Sequence, residues 1–466
     1  MPNDNPNQAA MTIEQAMKLA LQHHQTGRLA EAEQLYRQIL ACEPNNPEAL
    51  NLLGVVLSQK GQNQTALELI IRAIEINPQA SNYHNNLGQI LLSLRRLDEA
   101  IGAYSKALQL KPDDPELLNN LGNALNNSGR HEDAISAFNR ALQFKSDYAT
   151  AHYNLGNALR ALGQTDATIA SYHKALQINP HLLEARINLG NVFKDQGKLD
   201  EAIAAYCQAI ALNADFSEAH YNLASTLLLK GNCKRGWQEY EWRWKYKQFS
   251  SPQRNFPQPQ WDGSLLETRT LLVHTEQGLG DALQFIRYLP LATRQGGTII
   301  VECQAPLQRL FRTLPVKCQI VDRGTSLPAF DLHCPLLSLP LVFGTTLDNI
   351  PNTVPYLYPD VQDVERWRRR LDNHLPNIRK GKVGLVWSGN LKPDRCRSIK
   401  LSSLAPLGQV PGVCFFSLQK GEASIQAKTP PAGMELIDWT AELKDFADTA
   451  ALIANLDLVI TIDTAA

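Results

Sequence analysis

From residue 13 to about residue 250 the apolar positions follow the period of amphipathic helices, and that helical pattern itself recurs every 34 residues. Gly54, Gly88, Gly122, Gly156 and Gly190 share one phase, each preceded by a leucine: Leu53, Leu87, Leu121, Leu155 and Leu189. A second column, Gly27, Gly61, Gly129, Gly163, Gly197 and Gly231, is interrupted once, by Arg95. Ala32, Ala66, Ala100, Ala134 and Ala202 lie five residues beyond those turn positions, and Tyr36, Tyr104, Phe138, Tyr172 and Tyr206 four further on. Pro44, Pro78, Pro112 and Pro180 close units. Two antiparallel helices per unit account for these columns. In "ATAHYNLGNALRALG" (149–163), Gly156 admits a second helix at close range, Leu155 and Leu159 fill the space between, and Gly163 ends the first helix. "TDATIASYHKALQI" then forms the second helix, which Pro180 stops. One such hairpin cannot cover its own apolar face, so neighbours must stack.

Several columns agreeing in phase resemble the tetratricopeptide repeat. Seven units over residues 13–250 match it, after a flexible tail of residues 1–12, and the expected fold is an all-α superhelical solenoid. The seventh unit departs from the pattern: Ala224 replaces the glycine, Gly236 the alanine, and "GWQEYEWRWKYKQF" introduces Trp237, Trp242 and Trp244. It reads as a capping or docking unit against the C-terminal half of the chain, or as an end cap without a partner. A further column, Asn86, Asn120, Asn154, Asn188 and Asn222, has no packing rationale, and Asn123, Asn157 and Asn191 lie three residues on, along the same face. A row of amides along an inner groove can bond the backbone of an extended peptide without reading its side chains. Inheritance of a polar surface residue by duplicated units gives the same column. The arrangement resembles the asparagine ladder of O-linked N-acetylglucosamine transferases, which favours a protein or peptide partner in the groove.

After residue 250 the repeat phase is lost. "SSPQRNFPQPQWDGS" reads as a linker, residues 251–268, and short apolar runs then alternate with helical stretches: "TLLVH", "TIIVEC", "KCQIV", "KVGLVW", "VCFFSL" and "LDLVIT". This alternation predicts parallel sheets covered on both faces. Pro351, Pro355 and Pro359, followed by "DVERWRRRLDNH", divide the region into α/β halves at 269–359 and 360–466. The first strand enters "HTEQGLGDALQFIRYLP", where Gly278 and Gly280 can bring peptide N–H groups near a ligand and Asp281 stands at a helix start. An aspartate there is also an ordinary cap. Leu283 replaces the third glycine of a dinucleotide fingerprint, and no Lys-Ser/Thr pair completes a P-loop. In the second half, Ser388, Gly389 and Asn390, with Lys392, Arg395, Arg397 and Lys400, form either a pyrophosphate seat or a solvated charged loop.

Taken in order after the repeats, "GLGDALQF", "GLVWSGN", the Arg397/Lys400 segment, "FFSLQKGE" and "LVITIDTA" resemble a two-domain GT-B glycosyltransferase of the heptosyltransferase-like kind (glycosyltransferase family 9), and more distantly O-linked N-acetylglucosamine transferases. The resemblance implies two Rossmann-like domains, with Asp281 as base toward the acceptor hydroxyl. It further implies Arg397 or Lys400 beside the departing nucleotide diphosphate, Gly278, Gly280, Ser388, Gly389 and Asn390 near the donor, Lys420 near the nucleotide, and Asp463 and Thr464 at the donor site. It implies a nucleotide-sugar co-substrate and no cofactor. Residues 251–466 hold no Asp-x-Asp pair for a metal-bound sugar nucleotide, so transfer without a metal is implied. The family's pattern continues past the equivalent of Ala466, so the expectation is a truncated donor half with weak or absent catalysis. The other reading is a non-catalytic repeat scaffold carrying a degenerate glycosyltransferase domain.

Composition narrows the partners. Lys plus Arg (45) balances Asp plus Glu (46), so no overall field favours nucleic acid or an anionic membrane. The eight cysteines are scattered without zinc-ligand spacing, and they read as reduced thiols. With no signal peptide and no apolar run of membrane-spanning length, a cytoplasmic protein is expected.

Overall fold

The computed structural model describes residues 11–374, 381–389 and 398–464. Most of the N-terminal tail (residues 1–10) therefore lies outside the described residues. The chain divides into two compact units, up to Ala219 and from His220 on.

The first unit holds six helix pairs: Ile13–Gln25 with Leu29–Cys42, Pro47–Gln59 with Asn63–Ile76, Ser81–Ser93 with Leu97–Leu110, Pro115–Asn127 with His131–Phe144, Ala149–Ala161 with Thr165–Ile178, and Leu183–Asp195 with Leu199–Leu212. Each column of the sequence has a structural cause. A Cβ placed on Gly122 would lie 2.5 Å from the ring of Phe138, and one on Gly156 2.5 Å from that of Tyr172. The glycine is thus the hole into which the buried aromatic of the second helix fits. Between the helices Gly129 and Gly163 adopt φ +81° and +72°, and Arg95 takes the same left-handed turn at φ +61°. Asn46 and Asp114 cap the helices that follow them, each with proline in the first turn.

The second unit begins with most of the helix Ser217–Leu229, paired with a shortened one, Cys233–Tyr240, that runs into a 3-10 turn at Glu241–Lys245. The atypical seventh pair thus belongs to the α/β half. Trp237 packs edge-on against Phe285 at 5.8 Å between ring centroids. Two four-stranded sheets follow. The first contains β1 (Glu267–His274), β2 (Gly296–Cys303), β3 (Gln319–Asp322) and β4 (Leu332–Pro335), in the order β3-β2-β1-β4; the second contains β5 (Gly381–Val386), β6 (Val413–Ser417), β7 (Leu436–Asp438) and β8 (Leu458–Thr461), in the order β7-β6-β5-β8. Every pairing is parallel.

One face of the first sheet carries Leu271, Val273, Ile299, Val301 and Cys334 in a core with Ala282, Ile286 and Leu289. The opposite face holds His274, Glu302 and His333, and Arg254 and Phe256 lie against it, with the rings of Phe256 and His274 5.7 Å apart. Gln260 bridges to His333 at the edge of the sheet, and Trp261 is buried in the core of the first face. In the second sheet Val383, Leu385 and Phe415 face one core, and Val386, Cys414 and Phe416 face another that includes Trp367 and Leu371 of the helix Val361–His374. Arg309 joins the two halves through Asp445, at 2.9 Å to each carboxylate oxygen, and through Asp363.

Candidate functional site

The groove asparagines are tied from one repeat to the next. Asn86 donates its amide to Asn51 (3.0 Å), Asn120 to Asn85 (3.0 Å) and Asn154 to Asn119 (2.9 Å). Asn188 donates to Tyr153 Oη (3.2 Å) and to Asn157 (3.0 Å), whose oxygen also accepts from Tyr172 Oη at 2.7 Å. Asn191 accepts from Tyr206 Oη in the same way. An amide nitrogen has two N–H donors, so Asn188 is saturated, whereas Asn86, Asn120 and Asn154 each keep one donor beyond the inter-repeat bond. Asn222 lies in the second unit, where its carbonyl accepts from Ser225 and Thr226. The column was visible in the sequence. The acceptor one repeat earlier was not.

In both sheets the strand order reverses beside the first strand, so β1/β4 and β5/β8 flank the positions where open parallel sheets receive ligands, at the carboxyl ends of the strands. Beyond β1 the chain turns through Thr275, Glu276 and Gln277 into the seven-residue helix Leu279–Phe285. Gly278 is its N-cap, and its N–H donates to Asp281 Oδ2 at 3.0 Å. One oxygen of the candidate base is therefore a helix cap, and Gly280 lies within the helix. Gln277 has φ +58°, a left-handed conformation at a residue other than glycine. Its N–H donates to Ser251 Oγ (2.7 Å), its side-chain amide to Tyr240 Oη (3.1 Å), and its carbonyl accepts from Gln304 (3.3 Å).

Glu276 is 2% exposed and receives Arg243 Nη2 at 2.9 Å. Burial pushes its carboxyl up to about 7, with Arg243 opposing that rise. His274, also buried, is pushed down to about 3 by burial first and then by His333 and Arg254. Glu302 on the neighbouring strand pairs with Arg254. Sequence reasoning missed Arg243, Glu276 and Gln277. The available signal was an arginine between two tryptophans in "EWRWK" and an acid-amide pair ahead of Gly278.

At the end of β5, Gln419 holds the chain. Its Oε1 accepts from the N–H of Trp387 (3.1 Å) and of Ser388 (2.7 Å), while its Nε2 donates to the carbonyls of Ser388 and Lys420. The N–H of Gly389 donates to Ser398 Oγ at 3.1 Å. A Cβ on Gly389 would stand 3.7 Å from the carbonyl oxygen of Asp463 and 3.8 Å from Thr464 Oγ1, so the ends of β5 and β8 bring these candidates together. Lys420 Nζ donates to the carbonyls of Thr440 (3.1 Å) and Leu443, which commits its charge to the loop before the helix Phe446–Ile453. Lys400 is exposed. Asn390 and Arg397, with Lys392 and Arg395, lie outside the described residues.

Among the described residues no helix is long and apolar enough to cross a membrane, and no group of three or more His, Cys, Asp or Glu side chains could hold a metal ion.

Family models for the tetratricopeptide repeat match residues 16–38, 51–115, 85–149 and 149–182, and a TPR-repeat model matches 190–231. Protein FlbA of Caulobacter vibrioides is 31% identical over 264 residues, 51% of this chain and 43% of its own length, so the chain spans less than half of that relative. Among solved structures, MamA is similar at 25% identity over 35% of this chain and 95% of its own (TM-score 0.33). Pseudomonas aeruginosa PilF is similar at 18% identity over 41% of this chain and 88% of its own (TM-score 0.38). The helical half of this chain is built of tetratricopeptide repeats.

Proposed function

We propose that the chain is a glycosyltransferase-type protein in which the tetratricopeptide repeats present a protein or peptide acceptor and the α/β half transfers a sugar from a nucleotide-sugar donor. The observation that carries this reading is the duplicated sheet order. Two parallel sheets reverse their strand order beside the first strand, and among the described residues Gly278 and Asp281 follow β1, Ser388 and Gly389 follow β5, and Asp463 and Thr464 follow β8. In this GT-B-type reading the acceptor hydroxyl loses its proton to Asp281 as its oxygen bonds the anomeric carbon. The bond from that carbon to the nucleotide diphosphate breaks, and the diphosphate leaves toward Ser388, Gly389, Asp463, Thr464 and the cations Arg397 or Lys400. No metal is assigned to the step. The remaining donors of Asn86, Asn120 and Asn154 would hold an extended peptide by its backbone. Free thiols at Cys303 and Cys334 suit a reducing compartment such as the cytoplasm.

A second reading is a non-catalytic repeat scaffold. It is favoured by the internal engagement of the candidate groups: Lys420 on two carbonyls, the N–H of Ser388 on Gln419, that of Gly389 on Ser398, and Asp281 on its own helix. The separating experiment incubates the chain with UDP-, GDP-, ADP- and CMP-sugars and follows nucleoside diphosphate or monophosphate release. Transfer lowered by about a hundredfold or more in Asp281→Asn, with peptide binding intact, supports the enzyme. No release by the unmodified chain or by one extended beyond Ala466, with peptide binding intact, leaves the scaffold.

A further inference from the structure

We propose that Arg243 is a positioning residue for the turn at the end of β1, so that the tail of the last helix pair, residues 240–251, forms one wall of the candidate α/β site. This rests on the reading of that turn as ligand-facing. Arg243 is fully buried, an unusual place for a guanidinium. It reaches Glu241 at 2.6 Å, Glu276 at 2.9 Å and Ser338 Oγ at 2.7 Å, and its plane lies 4.8 Å from the ring centre of Tyr240 and 4.4 Å from that of Trp244. Ser338 Oγ in turn donates to Glu241 at 2.8 Å. Taking such a charge out of water is costly, and an apolar pair of similar volume commonly serves stability as well. What the ion pair adds is a fixed geometry.

That geometry acts on the one strained residue of the turn. Glu276 precedes Gln277, whose left-handed backbone is held from the same segment by Tyr240 Oη and Ser251 Oγ. Gln304, just beyond β2, and the side chain of Tyr221 on the preceding helix hold it from elsewhere. A strained conformation persists when its surroundings over-determine it, and here the chain between the repeats and β1 supplies much of that determination. Gly278 and the Asp281 cap come directly after it, so the disposition of the candidate base depends on Arg243 through two residues of turn.

The test uses the full chain with Arg243→Met/Glu276→Met, an apolar pair, and Arg243→Lys, which keeps the charge but loses the planar fork. Thermal unfolding and hydrogen exchange of peptides spanning residues 274–281 are read together. The expected result for the apolar pair is a melting temperature within about 2 °C of the parent and exchange about tenfold faster in the turn, with β2 and β3 unchanged. Arg243→Lys should loosen the same peptides by about threefold without affecting the rest. Parent-like exchange of the turn in both variants, or acceleration spread over all of 267–335, overturns the proposal. Nucleotide release by the parent judges the functional reading separately, because the exchange measurement needs no ligand.

Discussion

The repeat array and the α/β half bury their apolar surface in opposite ways. In the array one solution is reused: a glycine on the first helix receives an aromatic 16 residues later, as Gly122 receives Phe138 and Gly156 receives Tyr172. In the α/β half the decisive contacts join distant segments, such as Arg243 with Ser338, 95 residues apart, and Arg309 with Asp445, 136 apart. The array should therefore fail locally and the α/β half as a whole. All seven tryptophans lie beyond residue 219, so their fluorescence reports the second unit, while helical circular dichroism reports mainly the first.

The largest expected effect comes from filling a glycine hole. Gly122→Val must displace the fully buried Phe138 ring, and overpacking of this kind costs about 3 kcal/mol. The circular dichroism transition in urea should move to lower denaturant while the tryptophan transition stays in place. A shift of both together would break the contrast, because it would mean that the two units unfold as one.

A pH experiment sharpens the contrast from the other side. Glu276 holds its proton up to about pH 7 in the folded chain, above its ordinary 4.5, so the folded state binds that proton more tightly than the unfolded state. The resulting stability is fully present below the unfolded value and is lost as the pH rises through 7. Relative to Glu276→Gln, the parent should lose about 2 kcal/mol of stability between pH 5 and pH 8, read by tryptophan fluorescence. Parallel stability curves for the two proteins would show that Glu276 does not carry the raised affinity.

The same contrast explains what could be read from the sequence. The repeat columns were legible because their contacts recur at fixed spacing, and the strands β1, β2, β3, β5, β6 and β8 because their apolar runs are long enough to recognise. β4, whose sequence Leu-His-Cys-Pro has no apolar run, and β7, of three residues, were not. Residues 251–268 read as a linker by composition; within them Arg254 pairs with Glu302 on one face of the first sheet and Trp261 joins the core of the other, partners that lie far along the chain. In the site, Gly278, Asp281, Ser388 and Gly389 stood out as local motifs. Arg243, Gln277 and Gln419 did not, because their meaning lies in partners that only the fold supplies.

The smallest expected effect tests the array's turn column at its single exception. Arg95 is exposed and adopts φ +61° where the other turns have glycine between +72° and +85°. Left-handed backbone at a residue with a Cβ costs about 1–2 kcal/mol. Glycine also gives the unfolded chain more freedom, which offsets about 0.4–1 kcal/mol of that gain. Arg95→Gly should therefore stabilise the array by about 0.5–1 kcal/mol, raising the circular dichroism midpoint and leaving the tryptophan transition unmoved. The reverse change supplies the control. A Cβ on Gly129 meets nothing within 4 Å, so Gly129→Ala isolates the backbone term at φ +81° and should destabilise by a similar amount. If Arg95→Gly leaves the midpoint unchanged while Gly129→Ala lowers it, the third turn is held by something other than its backbone conformation, and the equivalence of the repeats ends there.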